Sequence, residues 1–293
     1  MDEQFDMKRG LSPILRSAIL EILVLVLIAI WLIPLYAMVL NSFKSNIAVS
    51  TTPVLAATSG LSFNAILSVW SQLEFPMLNS LIVVVPVALI STFVGAMGAY
   101  YFYLLSASRR MVDSMTSNIG FSLVALGTFI PYEAVFVPLT RLVVFLNIFD
   151  TYFGLYFAFL IFYLPTGALL MSIFISALPR GFLEAAKIDG SGDWAIFTRV
   201  ILPNVMPGFI ATVIFIIIEA WNQFFIPLLI TSTPSLSVVS IATQQYTGGF
   251  GTLYNETFAA AFIASIVPLV IFVFLGRYFI HGLGALGTGA KGV

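Results

Sequence analysis

The chain has 293 residues, of which 60% are hydrophobic and only 9% charged, with a mean hydropathy of +1.07 and a net charge of −1. Soluble domains carry about 25% charged residues, so this composition leaves no room for a separate soluble domain, and the near-neutral balance argues against nucleic acid as a partner. Without cysteine there is no disulfide framework, thiolate nucleophile or thiolate metal site, and the single histidine, His281, cannot build a histidine metal centre.

The first 17 residues mix acids and bases, and the apolar run that follows is too long for a signal peptide. Residues 1–17 therefore read as a cytoplasmic tail. Six segments reach the ~20 apolar residues needed to cross a bilayer. They cover about 18–40, 77–104, 119–138, 152–176, 205–230 and 256–280. The first carries Glu21 near its start, at the interface. The third is interrupted by Pro131 and Pro138, which neighbouring helices can accommodate. The expected fold is all-α: a polytopic bundle of six transmembrane helices over 18–280, followed by a flexible Gly-rich tail at 281–293. Small residues recur every four positions at Ser91, Gly95 and Ala99, and again at Ala260 and Ala264. Such faces allow close helix packing in lipid, most simply within the bundle.

Lysine and arginine set the orientation. With both ends cytoplasmic, ten of the twelve basic residues fall inside, and only Lys44 and Arg141 fall outside. The segment 177–204 is then cytoplasmic. The outer loops are about 41–76, 139–151 and 231–255.

The polar stretch EAAKIDGSGDWAIFTRVILP, residues 184–203, lies between two apolar spans. Residues 182–189 are helix-prone, and Ala185 and Ala186 allow another protein close to the backbone. Gly190 can take the positive φ that ends a helix. Ser191 or Asp193 is placed to cap a second helix. In that helix Trp194, Phe197 and Ile201 fall on one apolar face, and Pro203 breaks the run before the next span. On composition alone this is an interfacial connector.

The full pattern resembles the EAA loop of the membrane subunits of bacterial ATP-driven (ABC) importers. The positions that carry the likeness are Glu184, Ala185, Ala186, Asp189, Gly190, Phe197, Leu202 and Pro203. The chain departs from the family pattern at Ser191-Gly192, where alanine often follows the Asp-Gly pair. The sequences Asn41-Ser42-Phe43-Lys44 and Trp221-Asn222-Gln223-Phe224-Phe225, and the ending from Arg277 to the Gly-rich tail, resemble the second membrane subunit of maltose-type carbohydrate importers. The likeness implies a type I importer permease that moves a sugar or oligosaccharide inward by alternating access. Glu184, Ala185, Ala186, Asp189 and Gly190 would couple it to two separate ATPase subunits, which hold the ATP and magnesium; this chain would bind no cofactor. The implied partners are a second, homologous membrane subunit and an extracytoplasmic binding protein that meets the 231–255 loop. The Gly-rich tail would reach the ATPases. The bacterial inner membrane is the implied location. A likeness to importers of acidic oligosaccharides such as alginate fragments is also present, although the spans offer almost no cations for a polyanion.

Two carboxylates, Glu133 and Glu219, fall within spans, where charge is costly and usually faces a cavity or a partner. Glu219 precedes Trp221, Asn222 and Gln223, side chains able to stack on a sugar or bond its hydroxyls. They equally suit inter-helix bonding. Tyr152, Tyr156, Phe159 and Tyr163 share one side of the fourth span; packing explains most of them, and Tyr163 could line a pathway. The tail GLGALGTGAKG is not a phosphate loop, because Ala290 separates Gly289 from Lys291 and no hydroxyl follows. Asn255-Glu256-Thr257 matches a glycosylation sequon by chance. The competing function is a proton-coupled secondary transporter that uses Glu133 and Glu219.

Overall fold

The computed structural model describes residues 13–58, 60–106, 110–248 and 253–289. Most of the N-terminal tail and residues 290–293 of the C-terminal one lie outside them. The described chain is helical: α1 Pro13–Ser42, α2 Asn46–Thr51, α3 Asn64–Ser106, α4 Met111–Leu126, α5 Tyr132–Phe145, α6 Tyr152–Ser176, α7 Arg180–Ile188, α8 Asp193–Ile196, α9 Leu202–Asn204, α10 Met206–Asn222, α11 Phe225–Ile230, α12 Val239–Gln244 and α13 Tyr254–Gly289.

Among the described residues, four helices are long and apolar enough to cross a membrane unbroken, within α1, α3, α6 and α13. Two bent helix pairs bring the number to six if each is one span. Residues Met111–Phe129 and Tyr132–Phe145 meet at 95°, and Asp193–Asn204 and Met206–Asn222 meet at 78°. The segment read as one span over 119–138 is therefore broken at Ile130 and Pro131, both in extended backbone. The helix expected from about 77 begins at Asn64. The span expected over 205–230 stops at Gln223, which is extended with ψ 116°. Pro227 explains that stop, because in a continuous helix its ring would strike the Gln223 carbonyl four residues back. The Gly-rich segment expected to be a flexible tail continues as helix α13 through Gly289.

The centre of the bundle is the crossing of α3 and α6. A Cβ on Gly95 would lie 2.4 Å from the Ala168 backbone nitrogen, and one on Gly167 would lie 2.2 Å from the Ser91 carbonyl oxygen. Only glycine permits that approach, so the small-residue face around Ser91 and Gly95 is internal packing. Ala260 is likewise buried inside the bundle.

Three apolar clusters surround this crossing. One joins α3, α5, α6, α10 and α11 around Val87, Phe159, Tyr163 and Ile216. Another joins the α3 and α6 ends to the 183–205 segment. A third joins the start of α3 to Trp221, α12 and α13. By contrast, α1 is apolar all round and its span is not buried within the chain, as befits a surface facing lipid or another subunit.

Candidate functional site

The EAA segment folds as two helical pieces separated by a tight turn. Helix α7 ends where Gly190 takes φ +75°. The Gly190 amide donates to the Lys187 carbonyl and the Ser191 amide to the Ala186 carbonyl, each at 3.1 Å. These two bonds are a Schellman cap, which uses up carbonyls that the helix end would leave unpaired. The second piece starts differently from expectation. Its cap is Gly192, with no side-chain bond, and neither Ser191 nor Asp193 fills that role. The helix then widens to a π turn over Phe197–Ile201. The bend into α10 falls at Val205, beyond Pro203. Pro207, in the first turn of α10, has no amide to continue the preceding ladder.

The two faces of α7 have different roles. Leu183 and Ala186 are buried in the apolar cluster that also contains Ala96, Ala99 and Tyr100 of α3, Met171 and Ile175 of α6 and Ile196, Phe197 and Ile201 of the following segment. Glu184, Ala185, Lys187, Ile188 and Asp189 face outward. Of the five expected coupling residues, Glu184, Ala185, Asp189 and Gly190 are exposed, whereas Ala186 is nearly buried and contributes to the groove wall. Glu184 makes no hydrogen bond or ion pair among the described residues. Ile188 is 86% exposed, and an open groove of ≈ 500 Å³ is lined by Phe182, Ala185, Ala186, Asp189 and Val200. Phe197 is buried in the cluster that α7 joins. Its ring lies 5.6 Å from Tyr100, 5.9 Å from Phe93 and 5.8 Å from Trp194. Trp194 itself is 60% exposed, so it does not share the buried face of Phe197 and Ile201.

The expected solute-facing residues separate. Trp221 is buried and donates its indole N–H to the Ala264 carbonyl at 3.1 Å. Asn222 is exposed and lines a cleft of ≈ 430 Å³ between α10, α12 and α13. The Gln223 side chain acts locally, where its Oε1 accepts from the Phe225 amide at 3.1 Å and starts α11. Tyr163 is a core residue whose ring stacks on Phe159 at 6.0 Å. Tyr152 and Tyr156 donate to the Asn79 amide oxygen at 2.7 Å and the Ile82 carbonyl at 2.9 Å, which ties α6 to α3. Glu133 and Glu219 are both exposed, and neither makes an ion pair or hydrogen bond among the described residues. Tyr132 is an electrostatic neighbour of both.

Sequence reasoning missed two structural devices at the other end of the bundle. Lys44 is 1% exposed, and its Nζ donates to Thr52 Oγ1 at 3.3 Å and the Pro53 carbonyl at 3.1 Å. Asn41 donates to the Val54 carbonyl at 2.8 Å, and the Ser62 amide donates to the Phe43 carbonyl at 2.8 Å. The Asn-Ser-Phe-Lys run is thus the knot that folds 43–62 onto the end of α1. Asp150, at φ +57°, accepts from the Ser232 and Thr233 amides at 2.9 and 3.1 Å and from the Thr233 hydroxyl. It fastens the α5–α6 turn to the loop after α11. That loop walls a larger, uncharged cavity of ≈ 640 Å³.

The family model for the inner membrane component of binding-protein-dependent transport systems matches residues 103–284, more than half of the chain and the whole of the α7–α9 segment. The chain belongs to that family. The permease is similar to the glucose import system permease protein GlcU of Saccharolobus solfataricus, with 54% identity over 98% of this chain and 100% of that one. It is also similar to the osmoprotective compounds uptake permease protein GgtD of Synechocystis, with 31% identity over 70% of this chain and 67% of that one. Among solved structures it shares its fold with a chain of a bacterial ABC transporter involved in the import of the acidic polysaccharide alginate. There the TM-score is 0.70 and the identity 20%, over 90% of this chain and 97% of that one. Membership of this family leaves a proton-coupled secondary transporter built on Glu133 and Glu219 without support.

Proposed function

We propose that this permease imports a sugar as one of two membrane subunits, driven by two ATPase subunits that dock on the outward face of α7. The observation that carries the proposal is the division of α7 into a buried face and a presented one. Glu184, Ala185 and Asp189 are exposed, with Ala185 and Asp189 lining an open groove, while Leu183 and Ala186 are buried in the apolar cluster that also holds residues of α3 and α6. A push on such a helix is carried through the 193–201 segment it packs against, with Phe197 passing the displacement to Tyr100 and Phe93 of α3. ATP and magnesium belong to the partner subunits. The lysine and arginine bias supports a cytoplasmic position for α7 and both termini. The opposite end of the bundle then meets an extracytoplasmic binding protein. The sugar class follows from GlcU, the relative that matches along its whole length. Glu219, Trp221 and Asn222 are the residues of α10 placed to meet or gate the solute.

Purification of the tagged chain from native membranes in mild detergent, with stoichiometry read by native mass spectrometry, tests this assembly. One different membrane subunit and two ATPase copies are expected. A chain recovered alone or as a homodimer in several detergents would overturn it.

A further inference from the structure

We propose that the cleft between α10, α12 and α13 is a solute subsite for one neutral hexose unit, to which this subunit contributes Asn222, Ser240, Thr243, Gln244 and Ser265. The proposal rests on the reading of the chain as a sugar permease and adds where, and on which subunit, the sugar is held.

The cleft has the size and the chemistry for this. Its volume of ≈ 430 Å³ lies in the lower part of the ~300–1,000 Å³ range of small-molecule sites. That suits one or two sugar rings rather than an extended chain. Its polar lining consists of Asn222, Ser240, Thr243, Gln244 and Ser265, with no ionisable residue. The three hydroxyls are already committed as donors. Ser240 gives its proton to the Gln223 carbonyl at 2.8 Å, Thr243 to the Val239 carbonyl at 2.9 Å, and Ser265 to the Phe262 carbonyl at 2.7 Å. Each therefore offers the cleft an oxygen that can only accept. Asn222 spends one amide hydrogen on the Ile218 carbonyl at 2.8 Å and keeps its oxygen free. Gln244 is exposed, and its side chain has no hydrogen bond among the described residues.

Accepting hydroxyls, two available amides and an apolar wall that includes Trp221 and Phe224 match a ligand that carries many O–H donors and no charge. A uronic acid would bring a carboxylate into a site without a cation, at a large desolvation cost. The short helix α12 makes the site possible. It is held by the Val239 amide, which donates to Ser80 Oγ at 2.8 Å, so Ser240, Thr243 and Gln244 are presented from a fixed element and not from a free loop.

The test uses the complete transporter in proteoliposomes, with ATP supplied to the ATPases and D-glucose as the probe. Asn222→Ala and Gln244→Ala should each lower uptake at subsaturating sugar about tenfold, equivalent to ~1.4 kcal/mol, with subunit stoichiometry unchanged. Wild-type uptake in both variants would overturn the subsite while leaving the sugar permease standing. A wild-type complex that transports no sugar would overturn both. A second readout does not depend on turnover. Because the chain has no cysteine, Gln244→Cys gives it a unique thiol. Its maleimide modification, read on this subunit by mass, should be slowed by D-glucose and not by D-glucuronate. Equal modification with and without D-glucose, or protection by glucuronate, would contradict the proposal.

Discussion

The Ser191 amide reaches back over Gly190 to the Ala186 carbonyl at 3.1 Å, and the residue that receives this bond is also the one whose methyl group is buried behind α7. One residue thus takes part in both the end of α7 and its seating on the bundle. The turn requires φ +75° at Gly190, with open space where a side chain would project. The demand there is conformational, not steric.

Gly190→Val should therefore strain the turn by ~1–2 kcal/mol and weaken ATPase docking, whereas Gly190→Asn, which tolerates the left-handed region, should largely retain it. The amount of ATPase that co-purifies with each variant checks this. Equal recovery from both would show that the turn geometry is not needed for docking.

Much of this was legible in the sequence, and the exceptions have identifiable causes. The DG turn, the helical stretch before it and the inward role of the Ser91–Gly95 face follow from residue chemistry. The break at Ile130–Pro131 does not, because the apolar run continues through it and composition cannot distinguish a straight span from a bent one. Prolines signalled disruption without its place: Pro203 drew attention, yet the chain bends at Val205, ahead of Pro207. Trp221, Asn222 and Gln223 are adjacent in sequence, but Trp221 is a nearly buried wall of the cleft, Asn222 is exposed in it and Gln223 starts a helix. Only packing separates them. Lys44 passed as an outer-loop charge, since no local pattern reveals that its acceptors lie eight and nine residues ahead.

Glycine is obligatory at the α3–α6 crossing. Gly95→Leu or Gly167→Val would drive side-chain atoms into backbone, which cannot yield as a flexible side chain can. Each should lower stability by at least ~1–3 kcal/mol. The check is the thermal unfolding midpoint in detergent, with Gly98→Ala as the control, because nothing lies within 4 Å of the position its Cβ would take.

Lys44 should prove structural. Lys44→Ala removes a buried stem and both its bonds, with an expected cost of ~2–4 kcal/mol. Lys44→Met removes the same ammonium and bonds but fills the same space, so it should lose less. Unfolding midpoints of the two variants give the comparison. A Met variant as damaged as the Ala variant would assign the effect to the ammonium bonds and not to packing.

Asp150 gives a pH dependence of defined sign. Hydrogen bonds from the Thr233 hydroxyl and from the Ser232 and Thr233 amides hold its carboxyl down at about 2, against an ordinary value of 3.8. A depressed carboxylate stabilises the fold fully above its unfolded value, and the contribution is lost as pH falls through the folded one. The clamp between the α5–α6 turn and the 231–233 loop should thus be intact above pH ~4 and release toward pH ~2. Proteolysis of that loop by an acid-active protease should accelerate over this window, and in Asp150→Ala the acceleration should be absent.

The most direct test of the coupling account is site-specific cross-linking from single cysteines placed along α7 in the complete complex. The account predicts cross-links to an ATPase subunit from Glu184→Cys, Ala185→Cys and Ile188→Cys, changing in yield with ATP, and none from Leu183→Cys. ATPase cross-links from Leu183→Cys alone, or from no position on this helix, would contradict it.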